Sequence, residues 1–148
     1  MIAIDTNVVL RYVLNDDKAQ GRKAAALIRR HKRVLITDVV LAETVWTLKG
    51  RRYKLDKSGI CQVVNALFAE PGICFEDNQV VWRALNDFIG ADGLPDTSKS
   101  KGKKANIDFA DALIINKARW CAGQAGRALE AVYTFDGDAA KLAGVKRP

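Results

Sequence analysis

Five carboxylates stand out by position. Asp5 closes the apolar run Ile2–Asp5, and Asp136 follows the apolar segment Ala131–Phe135. If both runs are strands of a parallel sheet, both carboxylates emerge at its carboxyl edge, where open α/β sheets place their sites. Each could instead cap the helix that follows it. Glu43 has Val39, Ala42, Val45 and Trp46 at helical spacing, which predicts an apolar face. A carboxylate buried there needs a basic partner or a cation. Asp108 and Asp111, three residues apart, share one side of a helix, or else cap its first turn. Carboxylates brought close together repel unless protons or a divalent cation compensate. An oxygen-only ligand set suits Mg²⁺ or Mn²⁺ and not zinc.

The charge balance says what such a pocket could act on. The chain has 148 residues with 24 Lys+Arg against 17 Asp+Glu, a formal net charge of +7. Residues 1–60 hold 13 of the bases and 6 of the acids, whereas residues 61–148 hold 11 of each. The clusters are Arg29, Arg30, Lys32 and Arg33, then Lys49, Arg51, Arg52 and Lys54, and finally Lys99, Lys101, Lys103 and Lys104. An acidic metal pocket in a basic protein fits a polyanionic substrate, the metal at the scissile phosphate and Lys and Arg on its neighbours. The only histidine, His31, lies inside Arg29–Arg33. One chain therefore offers no histidine pair for metal-free acid–base cleavage to a cyclic phosphate.

These residues need a scaffold. The pattern predicts strands at Ile2–Asp5, Val34–Ile36, Ile73–Phe75 and Ala131–Phe135. Helices are predicted from Val8 to Leu14, Lys18 to Arg30, Asp38 to Lys49, Asp56 to Glu70, Asn78 to Ile89, Asp108 to about Ala122 and Asp138 to Leu142. In the fourth of these, Ile60, Val63, Val64, Leu67 and Phe68 form one stripe; in the fifth, Val81, Trp82, Leu85, Phe88 and Ile89 point inward. Alternating strands and helices argue for an α/β sandwich with a mainly parallel sheet in one domain, residues 1–148. Gly90–Ala105 reads as a long basic surface loop. Cys61, Cys74 and Cys121 read as reduced core residues of a cytosolic protein. No signal peptide or membrane span is expected.

Taken together, Asp5-Thr6-Asn7-Val8-Val9-Leu10-Arg11, Glu43 in Val39-Val40-Leu41-Ala42-Glu43, Asp108-Phe109-Ala110-Asp111-Ala112-Leu113-Ile114 and Thr134-Phe135-Asp136-Gly137-Asp138 resemble the PIN domain, and within it the VapC-type toxins of toxin–antitoxin pairs. The resemblance spans nearly the whole chain in the family's order. It implies a three-layer α/β/α sandwich with a mainly parallel central sheet. It also implies an endoribonuclease dependent on one or two Mg²⁺ or Mn²⁺ ions, leaving 5′-phosphate and 3′-hydroxyl ends. A cytoplasmic homodimer held inactive by a small cognate antitoxin is implied as well. Carried over by position, Asp5, Glu43, Asp111 and Asp136 are the catalytic, metal-binding acids. Thr6, Asn7 and Thr134 match positions that orient them, and Asp108 is a candidate for that supporting shell. Arg11, Arg51, Arg52, Lys99, Lys101, Lys103 and Lys104 are candidate contacts to the RNA backbone. The sequence departs from the family at 92–106, longer and richer in lysine, and at 122–130, which is extended. Trp46, Trp82 and the Ile60–Phe68 stripe are candidate dimer faces.

The main rivals are a non-catalytic RNA- or DNA-binding module, which gives Glu43 no purpose, and a metal-dependent deoxyribonuclease. A receiver-like phosphotransfer domain needs an acceptor aspartate and a late lysine that have no convincing counterparts here. Asp136-Gly137-Asp138 lies too late in the chain for a haloacid-dehalogenase-type phosphatase.

Overall fold

Short apolar runs become short parallel strands. The computed structural model describes residues 1–90 and 106–148, which form two units, Met1–Asn78 and Gln79–Pro148. In the first, β1 (Ile2–Ala3), β2 (Val34–Ile36) and β3 (Ile73–Phe75) lie in the order β1-β2-β3. All pairings are parallel, with Ile2 opposite Val34 and Leu35 opposite Cys74. Val34 and Ile36 are wholly buried, as expected of a central strand covered on both faces.

Four helices complete this unit: α1 (Thr6–Leu14), α2 (Lys18–Arg30), α3 (Asp38–Lys49) and α4 (Lys57–Ala69). Each starts at a side chain that accepts a bond from a first-turn amide: Asp5, Asp17, Thr37 and Asp56. Such caps satisfy amides that have no partner inside the helix. Asn15, left-handed at φ 50°, ends α1 and turns the chain into α2. There a Cβ on Gly21 would come within 2.6 Å of the Asn15 Oδ1, which would have to swing aside, and within 3.2 Å of the Arg11 carbonyl oxygen, so glycine suits the close approach of the two helices. The core face of α3 is Leu41, Thr44, Val45 and Leu48. In α4 the stripe of Ile60, Val64 and Leu67 is buried, and Phe68 packs on Phe75 with ring centroids 4.8 Å apart. Ile60, Val64 and Leu67 thus belong to the core, whereas Val63 and Phe68 are half-buried.

The Tyr12 hydroxyl, half-buried at the end of α1, donates to the Glu70 carboxylate that ends α4. Burial, then the Glu70 bond and charge, push the phenol up from 10.0 to about 12. The folded state thus keeps the proton longer than the unfolded chain. Its contribution is fully present below pH 10 and is lost as pH rises to about 12. The stability difference between wild type and Tyr12→Phe should hold constant below pH 10 and shrink across that window. Denaturant unfolding at each pH reads it, and a difference constant throughout would refute the coupling.

The second unit carries α5 (Asn78–Gly90, starting at the boundary), α6 (Phe109–Gln124), β4 (Val132–Tyr133) and β5 (Val145–Lys146). The strands β4 and β5 pair in parallel, Val132 opposite Val145. A 3-10 turn, Ala139–Lys141, joins them in place of the predicted helix. Phe88 meets Phe109 edge-on at 5.9 Å, a favoured aromatic geometry. The buried Asn116 amide donates to Asp87 at 2.8 Å and to the Ala112 carbonyl at 2.9 Å. Arg119 lies 3.8 Å from the same carboxylate and donates to the Ala143 carbonyl, tying α6 to the segment before β5.

Several expectations change. β1 and β4 stop two residues short of the predicted strands, and β5 was not anticipated. On α5 the buried residues are Val80, Val81, Ala84, Leu85 and Phe88, whereas Trp82 and Ile89 face solvent. Of the three free cysteines, Cys61 and Cys74 are half-buried and Cys121 is exposed, not core. The predicted basic loop, with Lys99, Lys101, Lys103 and Lys104, lies outside the described residues. No described helix is long and apolar enough to cross a membrane.

Candidate metal and nucleic-acid site

In the first unit the site grows from the turn between β1 and α1. Asp5 sits past the end of β1 in extended conformation, and its Oδ1 accepts from the Val8 amide at 2.9 Å. It is therefore the N-cap of α1. Next to it Thr6 is buried, and its hydroxyl donates to Glu43 Oε2 at 2.5 Å. That bond fixes one carboxylate oxygen of α3 beside the residue that follows Asp5, across 37 positions of sequence.

Glu43 is exposed and not buried as predicted. The reason is that α3 has two apolar stripes. Leu41, Val45 and Leu48 face the core, while Val39 and Trp46, exposed by 76% and 75%, lie on the solvent side with Glu43. What commits Glu43 is the Thr6 hydroxyl and not desolvation. Among the described residues, neither Asp5 Oδ2 nor Glu43 Oε1 has a hydrogen-bond or ion-pair partner. Two exposed anionic oxygens are donors that fit Mg²⁺ or Mn²⁺, and Mg²⁺ characteristically takes one or two carboxylates and keeps several waters. No group of three or more His, Cys, Asp or Glu among the described residues forms a metal cage.

The second unit places the other acids. Asp108 is the N-cap of α6 and accepts from the Ala110 amide at 3.2 Å, which is the capping role weighed for it. Asp111 lies half-buried in the first turn of α6. Asp136 is exposed, and its Oδ1 accepts from the amides of Asp138 at 2.9 Å and Ala139 at 2.7 Å. Thr134 Oγ1 accepts from the Asp136 amide at 3.0 Å, so it fixes the backbone that presents this acid. Asp138 accepts from the Asn106 amide at 3.1 Å and pairs with Lys141 at 2.9 Å.

The cations divide into free and committed. Arg11 donates to Asp16 at 2.7 Å and to Gln20 at 2.9 Å. The Asp16 bond raises the Arg11 pKa, and the guanidinium holds Asp16 below the usual carboxylate range. Arg52, 71% exposed, lies 3.5 Å from Asp16 and stacks over Tyr53, while Arg51 is exposed. A groove between α1 and α2 opens beside Asn7 and is lined by Arg11, Lys23 and Arg30. Arg30 belongs to a basic cluster already named from the sequence, whereas Lys23 escaped sequence reasoning. Its spacing of seven from Arg30 puts the two on one face of α2, a signal that could have found it.

A search among curated proteins gave no match. The family model described as "PIN domain" matches residues 2–145, covering both units and every acid named above. The chain therefore belongs to the PIN-domain family, with its three-layer α/β/α fold, whose members are generally metal-dependent nucleases that hydrolyse phosphodiester bonds.

Proposed function

We propose that this protein is an endoribonuclease dependent on Mg²⁺ or Mn²⁺, one or two ions, and the toxin of a toxin–antitoxin pair. In this reading it is a cytoplasmic homodimer kept inactive by a small cognate antitoxin, and the whole chain acts as one PIN domain. Asp5, Glu43, Asp111 and Asp136 hold the metal. Thr6 orients Glu43, Asn7 and Thr134 support the site, and Asp108 caps the helix that carries Asp111. Arg51 and Arg52, with Lys99, Lys101, Lys103 and Lys104, hold flanking phosphates. The observation that carries the reading is the Thr6–Glu43 bond beside Asp5 in a chain of the PIN family. When bound, a divalent ion supplies Lewis acidity at the phosphate and makes water a better nucleophile. Hydrolysis that breaks the bond from phosphorus to the 3′-oxygen leaves a 5′-phosphate and a 3′-hydroxyl.

Sequencing the ends of RNA cut by the purified protein tests this. With Mg²⁺ the expected ends are 5′-phosphate and 3′-hydroxyl, and excess chelator stops cleavage. Cyclic-phosphate ends, or undiminished cleavage in chelator, would falsify the mechanism. DNA of the same sequence, cut equally well, would replace the ribonuclease reading with the deoxyribonuclease one. A small adjacent reading frame encoding a DNA-binding protein that blocks cleavage is what the toxin role requires.

A further inference from the structure

In the second unit, the turn after β4 carries two opposite charges that do not meet. Asp136 is held there through one oxygen, its Oδ1 accepting from the Asp138 and Ala139 amides. The exposed Arg147 comes from the neighbouring strand. Tyr133 pairs with Lys146, and the Thr134 amide donates to the Lys146 carbonyl at 3.0 Å, which brings Arg147 alongside the turn. Its Nη2 donates to the Phe135 carbonyl at 3.3 Å and lies 3.4 Å from where a Cβ on Gly137 would be. Among the described residues, neither Asp136 nor Arg147 forms an ion pair, with the other or elsewhere. The charges around them are spent: Asp138 pairs with Lys141 at 2.9 Å, and Lys146 lies 3.9 Å from Glu130.

We propose that Arg147 grips one phosphate of the substrate strand beside Asp136. This rests on the nuclease reading above. The Phe135 carbonyl is a neutral partner, so it tethers the guanidinium without spending its charge. One such bond leaves most of the five N–H donors of the fork unused. The planar fork matches two oxygens of a phosphate, and a side chain already tethered loses less freedom on binding. A ligand that satisfies both charges of the turn brings an anion to Arg147 and a cation to Asp136. A phosphate accompanied by a divalent ion brings both. The segment matched by the PIN family ends at residue 145, so the contact is assigned by the geometry of this chain and not by family membership.

Binding of a fluorescent single-stranded RNA in excess chelator is compared for wild type, Arg147→Gln, Arg147→Lys and Arg127→Gln, the last an exposed arginine outside this turn. Arg147→Gln should weaken binding about 5- to 10-fold. It should also lower the slope of log affinity against log salt by about 0.7, the share of one phosphate on a single strand. Arg147→Lys should keep the slope and recover part of the affinity, and Arg127→Gln should cost less than about twofold. One neutral methylphosphonate linkage, moved along the strand, locates the contact. At one position it should weaken wild type by a similar factor and cost Arg147→Gln nothing further. With Mg²⁺, Arg147→Gln should lose kcat/KM by at least the binding factor. Unchanged affinity and slope in Arg147→Gln, or methylphosphonate and Arg147 losses that add at every position, overturns the contact. A fall in kcat alone makes Arg147 a support of the Asp136 turn and equally overturns it. Wild type that cuts neither RNA nor DNA sinks the nuclease reading, while the binding measurements still decide whether Arg147 grips a phosphate.

Discussion

Asp5→Asn lowers metal-dependent cleavage on the order of 10²–10³-fold while leaving the fold nearly as stable as wild type. The two halves of this expectation come from two oxygens of one side chain. Oδ1 caps α1 by accepting from the Val8 amide at 2.9 Å, and asparagine caps a helix about as well as aspartate. The amide keeps that acceptor, so stability should move by less than about 0.5 kcal/mol. Lost is the negative charge on a group with an open second oxygen, and removing one positioned electrostatic group from a catalytic site typically costs a factor of this order. Cleavage rates with Mg²⁺, beside denaturant unfolding of the same preparation, read both effects. An Asp5→Asn protein that cuts at the wild-type rate leaves Asp5 with the cap alone and sinks its assignment as a metal ligand.

Phe109→Ala has the largest expected effect on stability. Phe109 opens α6 directly after Asp108, is wholly buried and meets Phe88 edge-on. Truncating a buried phenylalanine removes its transfer energy and leaves a cavity, a loss of about 3–5 kcal/mol. Ile114, on the same helix but 62% exposed, gives the contrast, and Ile114→Ala should cost less than about 0.5 kcal/mol. Denaturant midpoints with unchanged slopes report both. A loss under about 1 kcal/mol for Phe109→Ala would mean that α6 is not anchored through this ring.

The legible parts of the fold were those where one physical signal acted alone. Val34–Ile36 and Ile73–Phe75 are bounded apolar runs, and both strands fall at those residues. The helices predicted from Lys18 to Arg30 and from Asp38 to Lys49 fall at those residues, and in the structure Asp17 and Thr37 cap them. Where two signals overlapped, pattern failed. Apolar residues on both faces of α3 hid which face was core, so Glu43 looked buried. On α5, Trp82 has the size of a core residue but lies beside the stripe that is buried. β5 is two residues long and follows Gly144 at φ 73°, too little for any period to show. At the candidate site, residue types and spacing are what single out the acids as an expectation, whereas the Thr6–Glu43 bond joins two helices and has no local signature. The same holds for Thr134, whose tie to the Asp136 amide is a matter of turn geometry.

Asp16 has a consequence for how this protein should respond to ionic strength. Its carboxylate already holds Arg11 and lies beside Arg52. Neither guanidinium can displace a condensed cation from a nucleic acid as fully as a solvated one, since each must first give up an internal partner. The slope of log affinity against log salt counts the phosphates neutralised on binding. For this chain that slope should be shallower than its surplus of basic residues suggests, and Asp16→Asn should steepen it by freeing cations already in place.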